Sequence, residues 1–160
     1  DSGRTGHIGF NEPGSHLNSR TRTITLHHLT RFDASSSFKG IENVPRKAIT
    51  MGIKSILVAK KIILMAWGSY KAEIIQKAVE GEISDNIPTT YLQNHKNTTL
   101  ILDNEAASEL TRIKSPWLVN NLDWNNENRF KAIAWLCKKT KKSILKIVQM
   151  TQSLKLKVSS

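Results

Sequence analysis

The chain has 160 residues, enough for one domain with a real core, and its composition (39% hydrophobic, 6% aromatic, 23% charged) is that of an ordinary α/β protein. Its longest apolar run, Ile62 to Trp67, falls far short of the ~20 residues a membrane-spanning helix needs, and the opening Asp-Ser-Gly-Arg has no apolar signal-peptide core. The net charge of +11 invites a nucleic-acid reading, but nine basic residues and no acid lie from Asn128 onward, so the other 15 face all 13 acids. The excess belongs to a tail, which reads as a solvated or docking face rather than a nucleic-acid reader.

Residues 1 to 19 hold Gly3, Gly6, Gly9, Pro13 and Gly14, which is loop chemistry that lets backbone approach a ligand. The chain opens on this loop with no preceding strand, so a further N-terminal part is expected. Residues 22 to 28 alternate polar and apolar around Ile24 and Leu26 and predict a strand. Residues 33 to 43 read as a polar loop. Pro45 suits the first turn of a helix running to about Met51, and a second helical piece is expected over Ser55 to Ala59.

Lys61 to Trp67 is a continuous apolar run ended by Gly68-Ser69, the pattern of a buried parallel strand. Lys71 to Val79 then reads as an amphipathic helix with Ala72, Ile75, Ala78 and Val79 inward, closed by Gly81. Thr98 to Leu102 is a second apolar strand, and Asp103 or Asn104 can cap a helix over Glu105 to Leu110. Strand, helix, strand in this order is a parallel βαβ unit, so the fold class is α/β, Rossmann-like, with flanking helices and an incomplete N-terminal side. A boundary is placed after residue 115. The segment 116–160 is a basic helical extension, with Phe130 to Thr140 helical, Ile133, Ala134, Leu136 and Cys137 buried, and a short element over 144–148. The lone Cys137 cannot close an internal disulfide and fits a reducing compartment, so the cytoplasm is the expected location.

Two places carry chemistry. In Thr5-Gly-His-Ile-Gly-Phe-Asn-Glu-Pro-Gly14, His7 and Glu12 come within reach if the loop folds back. A histidine beside a carboxylate can move protons between sugar oxygens. From spacing alone the favoured reading is a histidine that only hydrogen-bonds its own loop, since one His and one Glu are a weak signal. In Gly68-Ser-Tyr-Lys71, a lysine opens a helix after a buried strand, where free N–H groups and the helix dipole favour phosphate. A plain surface lysine is the other reading. His27-His28 has no third ligand nearby, so no metal site is expected.

Gly6-His-Ile-Gly-Phe-Asn-Glu-Pro-Gly-Ser15, Ser19-Arg-Thr-Arg22, Val44-Pro-Arg-Lys-Ala-Ile-Thr-Met-Gly52, Gly68-Ser-Tyr-Lys-Ala72, Val79-Glu-Gly81 and Leu92-Gln-Asn-His95 together resemble the glucosamine-6-phosphate deaminase family. Pro116-Trp117, Ala132 to Cys137 and Ile144-Leu-Lys146 are similar to a longer bacterial subfamily with a connector to a deacetylase-like domain. The resemblance implies conversion of glucosamine 6-phosphate and water to fructose 6-phosphate and ammonia, with no metal or redox cofactor. It implies His7 as the ring-opening proton carrier, Glu12 as its supporting carboxylate, Lys71 on the substrate phosphate, and Gly3 and Gly6 shaping the sugar loop. Members often form hexamers, so a homo-oligomer is open.

Three positions depart from the family. Thr5 stands at a catalytic position where an Asp is usual. Ser36 stands where many members carry a phosphate-binding Arg. Ile24 stands where allosteric members have a Lys, which leaves only Ser15 and Arg22 of an effector site. The family's C2-proton base and phosphate-cradling loop lie upstream of Asp1, so the chain alone is expected to have no turnover. Sugar-phosphate lactonases and isomerases of related fold, and a non-catalytic sugar-phosphate binder, are the competing readings.

Overall fold

The computed structural model describes residues 5–150, and the expectation for Gly3 lies outside them. The chain divides into two compact units between Leu110 and Thr111, five residues ahead of the boundary read from sequence.

The first unit holds two small sheets. Strand β1 (Arg22–Thr25) pairs antiparallel with β2 (Lys47–Thr50), in the register Arg22↔Thr50 to Thr25↔Lys47. The helix expected from Pro45 to Met51 is therefore absent. β-Branched Ile49 and Thr50 favour the pleated conformation, and a partner strand from far earlier in the chain supplies the ladder. Between these strands, His28–Ala34 forms helix α1, where the sequence suggested strand and loop. Its N-cap is His27, whose Nδ1 accepts from the Leu29 N–H at 3.2 Å, a cap outside the usual Ser/Thr/Asp/Asn set. Arg31 of α1 donates to the carbonyls of Ile41 at 2.8 Å and Val44 at 3.2 Å, which holds the following loop.

Helix α2 (Ile53–Leu57) starts two residues earlier than expected, because Ser19 Oγ accepts the Ile53 N–H at 3.0 Å and the Ser19 carbonyl accepts the Lys54 N–H. Strand β3 (Ile62–Ala66), helix α3 (Ala72–Glu80) and strand β4 (Thr98–Leu102) form the expected βαβ unit, with β3 and β4 parallel from Ile62↔Thr98 to Ala66↔Leu102. The fold is mixed α/β with a parallel sheet.

Ile62, Leu64 and Ala66 point inward from β3. They meet Ile75 of α3, Ile53 of α2, and Ile8, Tyr91, Leu92 and Leu110 in the core. Ile53 and Ile75 are fully buried, each contributing about 1.5–3 kcal/mol relative to exposure. Along α3 the buried residues are Ala72, Ile75 and Ala78, while Val79, expected inward, is exposed at the rim. Glu105 to Leu110 is a run of turns instead of a helix. There Ser108 Oγ donates to the Glu105 carbonyl at 2.7 Å, a local bond that competes with a regular helical ladder.

The second unit contains α4 (Thr111–Lys114), a 3₁₀ turn at Pro116–Leu118, α5 (Asn126–Thr140) and a helical stretch over 144–150. Asn125 caps α5 by accepting the Asn128 N–H, and Lys141 closes it in the left-handed conformation. Ile133, Ala134 and Leu136 are exposed and Cys137 is half-buried, against the expectation that all four are buried. In α5 the packing runs through Trp135 instead, which meets Trp117 edge-on at 6.0 Å. Among the described residues no helix is long and apolar enough to cross a membrane.

Candidate active site

The loop carrying His7 folds back on itself through an antiparallel bridge between Ile8 and Asn11. Asn11, fully buried, holds that turn. Its Nδ2 donates to the carbonyls of Ile8 at 2.8 Å and Met51 at 2.7 Å. From the other side, Thr89 Oγ1 donates to the Gly6 carbonyl at 2.6 Å and approaches the His7 carbonyl at 3.2 Å, and the Thr89 N–H also reaches Gly6. Gly6 has φ +72°, and a Cβ there would lie 2.7 Å from Ile87 and 2.8 Å from Ile74. Its role is thus to let the loop pass between two isoleucines in a left-handed conformation.

His7 and Glu12 are both buried. The Gly9 carbonyl accepts from His7 Nδ1, so the neutral ring carries its proton at Nδ1 and its basic lone pair at Nε2. Burial pulls the imidazole below the ordinary histidine range; the Glu12 carboxylate and the Gly9 carbonyl oppose this, and the Lys71 ammonium adds to it. The result is an imidazole kept neutral near physiological pH, the form a proton acceptor needs. Glu12 Oε1 accepts the backbone N–H of His27 at 3.1 Å, and its Oε2 lies 3.5 Å from Thr5 Oγ1, at the outer limit of a hydrogen bond.

Lys71 is 5% exposed, so it is no surface lysine. It ends a 3₁₀ turn, Ser69–Lys71, that leads into α3, with its ammonium 5.5 Å from the centre of the Tyr70 ring. Burial pulls it below the usual lysine range, while Tyr70 and the Asp33 carboxylate on α1 pull it back up. Because the charge state of His7 responds to both Glu12 and Lys71, the three residues share one electrostatic environment. The Lys71 ammonium lowers the proton affinity of the imidazole, against the Glu12 carboxylate that raises it.

The backbone donors ahead of α3 differ from expectation. Asp103 accepts the Gly68 N–H at 3.0 Å and Glu105 accepts the Ser69 N–H at 3.2 Å, so carboxylates of the β4 loop already occupy them. Ser15 and Arg22 lie together, with Arg22 Nη2 donating to Ser15 Oγ at 3.0 Å and Nη1 to Asn11 Oδ1 at 2.8 Å. The long-range bonds of Asn11, Thr89, Asp103 and Glu105 had no sequence signal, since each reaches a residue distant in the chain. Two cavities, of about 330 and 380 Å³, are lined by none of His7, Glu12 or Lys71. A smaller one of about 180 Å³ is bounded by Met65, Trp67, Tyr70 and Lys71, among others.

The chain is 48% identical over 106 residues to glucosamine-6-phosphate deaminase 1 of Bacillus subtilis, and 50% identical over 108 residues to the glucosamine-6-phosphate deaminase of Listeria welshimeri. These matches cover 66% and 68% of the chain. The chain belongs to the glucosamine-6-phosphate deaminase family. A glucosamine-6-phosphate deaminase-like protein of Bacteroides thetaiotaomicron is 52% identical over 145 residues, 91% of the chain. A solved monomeric glucosamine-6-phosphate deaminase of the NagB superfamily superposes with a TM-score of 0.65 at 48% identity, over 67% of the chain and 44% of that structure. The chain spans 44–46% of the length of the Bacillus and Listeria deaminases and 22% of the Bacteroides protein. No family model matches the chain.

Proposed function

We propose that this chain forms the ring-opening and phosphate-holding side of a site that deaminates glucosamine 6-phosphate. What supports the reading is the burial of His7, Glu12 and Lys71, with the Glu12 carboxylate and the Lys71 ammonium both acting on the His7 imidazole, in a chain about half identical to such deaminases over the residues matched. Nε2 of neutral His7 takes the proton from the anomeric hydroxyl, and the imidazolium returns it to the ring oxygen, so the pyranose opens with no net proton change. Glu12 favours the intermediate imidazolium. Lys71 holds the 6-phosphate and orients the hexose.

Moving a proton from C2 to C1 then turns the amine into an imine. Water hydrolyses the imine to fructose 6-phosphate and ammonia, a hydrolase-class deamination in amino-sugar catabolism that fits a cytoplasmic enzyme. Thr5 offers Glu12 a hydroxyl where the family has a charge, which weakens the support for the imidazolium. Gly6 shapes the loop behind His7. Ser15 and Arg22 bond each other, which supports a structural tie over an effector site.

We assign residues 1–115 to the C-terminal part of the deaminase domain and 116–160 to a basic connector. The Bacillus and Listeria deaminases match 106–108 residues, whereas the longer Bacteroides protein matches 145, which supports that division. Calorimetric titration of glucosamine 6-phosphate into the purified chain, beside an ammonia assay, tests the proposal. Saturable binding without ammonia release is expected. Absence of binding, or hydrolysis of a phosphogluconolactone instead, overturns it.

A further inference from the structure

The role of His7 depends on the Gly9 carbonyl, which accepts from Nδ1 and so places the basic lone pair at Nε2. That carbonyl belongs to the Gly9–Phe10 peptide. No described peptide is cis, and in a trans peptide the C=O and N–H of one rigid plane point in opposite directions. The N–H of this plane donates to Thr50 Oγ1 at 3.0 Å. One planar group is therefore held at both ends, by the Thr50 hydroxyl on one side and the His7 ring on the other. Gly9 has φ +59°, and a Cβ there would lie 3.0 Å from Thr50 Oγ1, so the hydroxyl sits directly against the turn.

Thr50 ends β2 and is buried. Its hydroxyl accepts the Phe10 N–H and donates its proton to the Met51 carbonyl at 3.2 Å, so it is engaged within the protein and acts through the loop. Two further bonds fix the strand end against that loop. Asn11 Nδ2 donates to the Met51 carbonyl at 2.7 Å, and Arg22, which stands opposite Thr50 in the β1–β2 ladder, donates to Asn11 Oδ1 at 2.8 Å.

We propose that Thr50 is a positioning residue for His7: by accepting the Phe10 N–H, its hydroxyl aims the Gly9 carbonyl at Nδ1 and fixes the imidazole in the tautomer whose Nε2 can take a proton from a sugar hydroxyl. The sugar half of this statement rests on the deaminase reading, whereas the tautomer is a property of the loop. Thr50→Val keeps the β-branched shape that suits a strand and removes both hydroxyl bonds. The Phe10 N–H then loses its acceptor, the Gly9–Phe10 plane can turn, and the hold on Nδ1 weakens. Thr50→Ser keeps the hydroxyl.

Nitrogen-15 spectra of the His7 ring at about pH 8, where an imidazole is neutral, read the tautomer directly. The Nδ1–H form is expected in the native chain and in Thr50→Ser. In Thr50→Val the ratio should move toward Nε2–H by roughly fivefold or more, the change that ~1 kcal/mol of hydrogen bonding produces. Thr50→Ala carries the same expectation should Thr50→Val not fold, as read by circular dichroism. Thr90→Val is the matched control. Its buried hydroxyl accepts the Ser84 N–H at 2.9 Å and donates to the Ile87 carbonyl, so its loss costs stability and should leave the His7 tautomer native. Four results overturn the proposal: Nε2–H in the native chain, which needs no variant; an unchanged tautomer in folded Thr50→Val or Thr50→Ala; an equal change in Thr90→Val; or a folded Thr50→Ser that behaves like Thr50→Val. Repeating the native spectra with glucosamine 6-phosphate separates this from the deaminase reading. A His7 that ignores the sugar phosphate while its tautomer depends on Thr50 counts against the reading and leaves the positioning in place. A His7 that responds to the sugar phosphate while its tautomer is indifferent to Thr50 does the reverse.

Discussion

Replacing Lys71 with methionine separates what the residue costs the fold from what it gives a ligand. The ammonium is almost completely buried, and the depressed lysine shows that the surroundings disfavour its charge more than Tyr70 and Asp33 favour it. Methionine keeps most of the apolar stem and removes the charge. Taking a buried ion out of the fold relieves a desolvation penalty of several kcal/mol, which its partners Tyr70 and Asp33 partly offset. Losing the Tyr70 contact returns ~1 kcal/mol of that. A net gain of about 1 kcal/mol follows, which in a chain of this size raises Tm by roughly 2–4 °C.

The pH dependence has a defined sign. Because the folded-state pKa is lowered, the penalty is fully present below that value, where both states carry the proton. It is relieved as pH rises through it toward the unfolded value, so the advantage of Lys71→Met shrinks at alkaline pH. Phosphate binding moves the other way. Losing a charge-assisted contact worth ~1.5–3 kcal/mol weakens glucosamine 6-phosphate by roughly 10- to 150-fold. Scanning calorimetry across pH and isothermal titration measure the two halves. A variant that melts lower than the native chain at pH 7, or that binds the sugar phosphate as tightly, refutes the reasoning.

Gly6→Ala places a Cβ between Ile74 and Ile87 at positive φ, and urea unfolding should show a loss of about 2–4 kcal/mol, with no gain in activity from the added rigidity. Thr89→Val removes the hydroxyl that pins the Gly6 carbonyl; a loss of about 1–3 kcal/mol is expected, together with faster amide exchange across residues 6–9. His7 is held neutral by burial, so as pH falls from ~6.5 the unfolded chain takes up its proton first and stability declines toward the lowered folded value. His7→Asn should flatten that decline, read as the difference between the two chains in paired denaturation curves from pH 7.5 to 5.

The parts of the fold carried by local pattern were readable. The runs Lys61–Trp67 and Thr98–Leu102 are continuous apolar stretches that identify strands, the helical spacing of Ala72, Ile75 and Ala78 identifies α3 although Val79 falls outside the core, and Gly68 marks the turn that sets Lys71 at the head of α3. What depended on distant partners was not readable. Residues 47–50 carry a proline signal for helix, yet pair with β1 some 25 residues earlier. Asp103 and Asn11 look like ordinary turn residues, although the first occupies a donor ahead of α3 and the second holds the His7 loop. His7 and Glu12 could be suspected from composition, but their burial, which sets the imidazole's protonation, is a property of the packed loop.

The central claim is that an imidazole, a carboxylate and an ammonium act on one hexose phosphate. Nitrogen-15 spectra of the His7 ring and the Lys71 ammonium, recorded while glucosamine 6-phosphate is added, address it directly. Both signals should shift along one saturation curve, with Glu12→Gln altering the His7 endpoint, and inorganic phosphate should move Lys71 far more than His7. Separate saturation curves for the two groups, or no response at His7, would contradict a shared site.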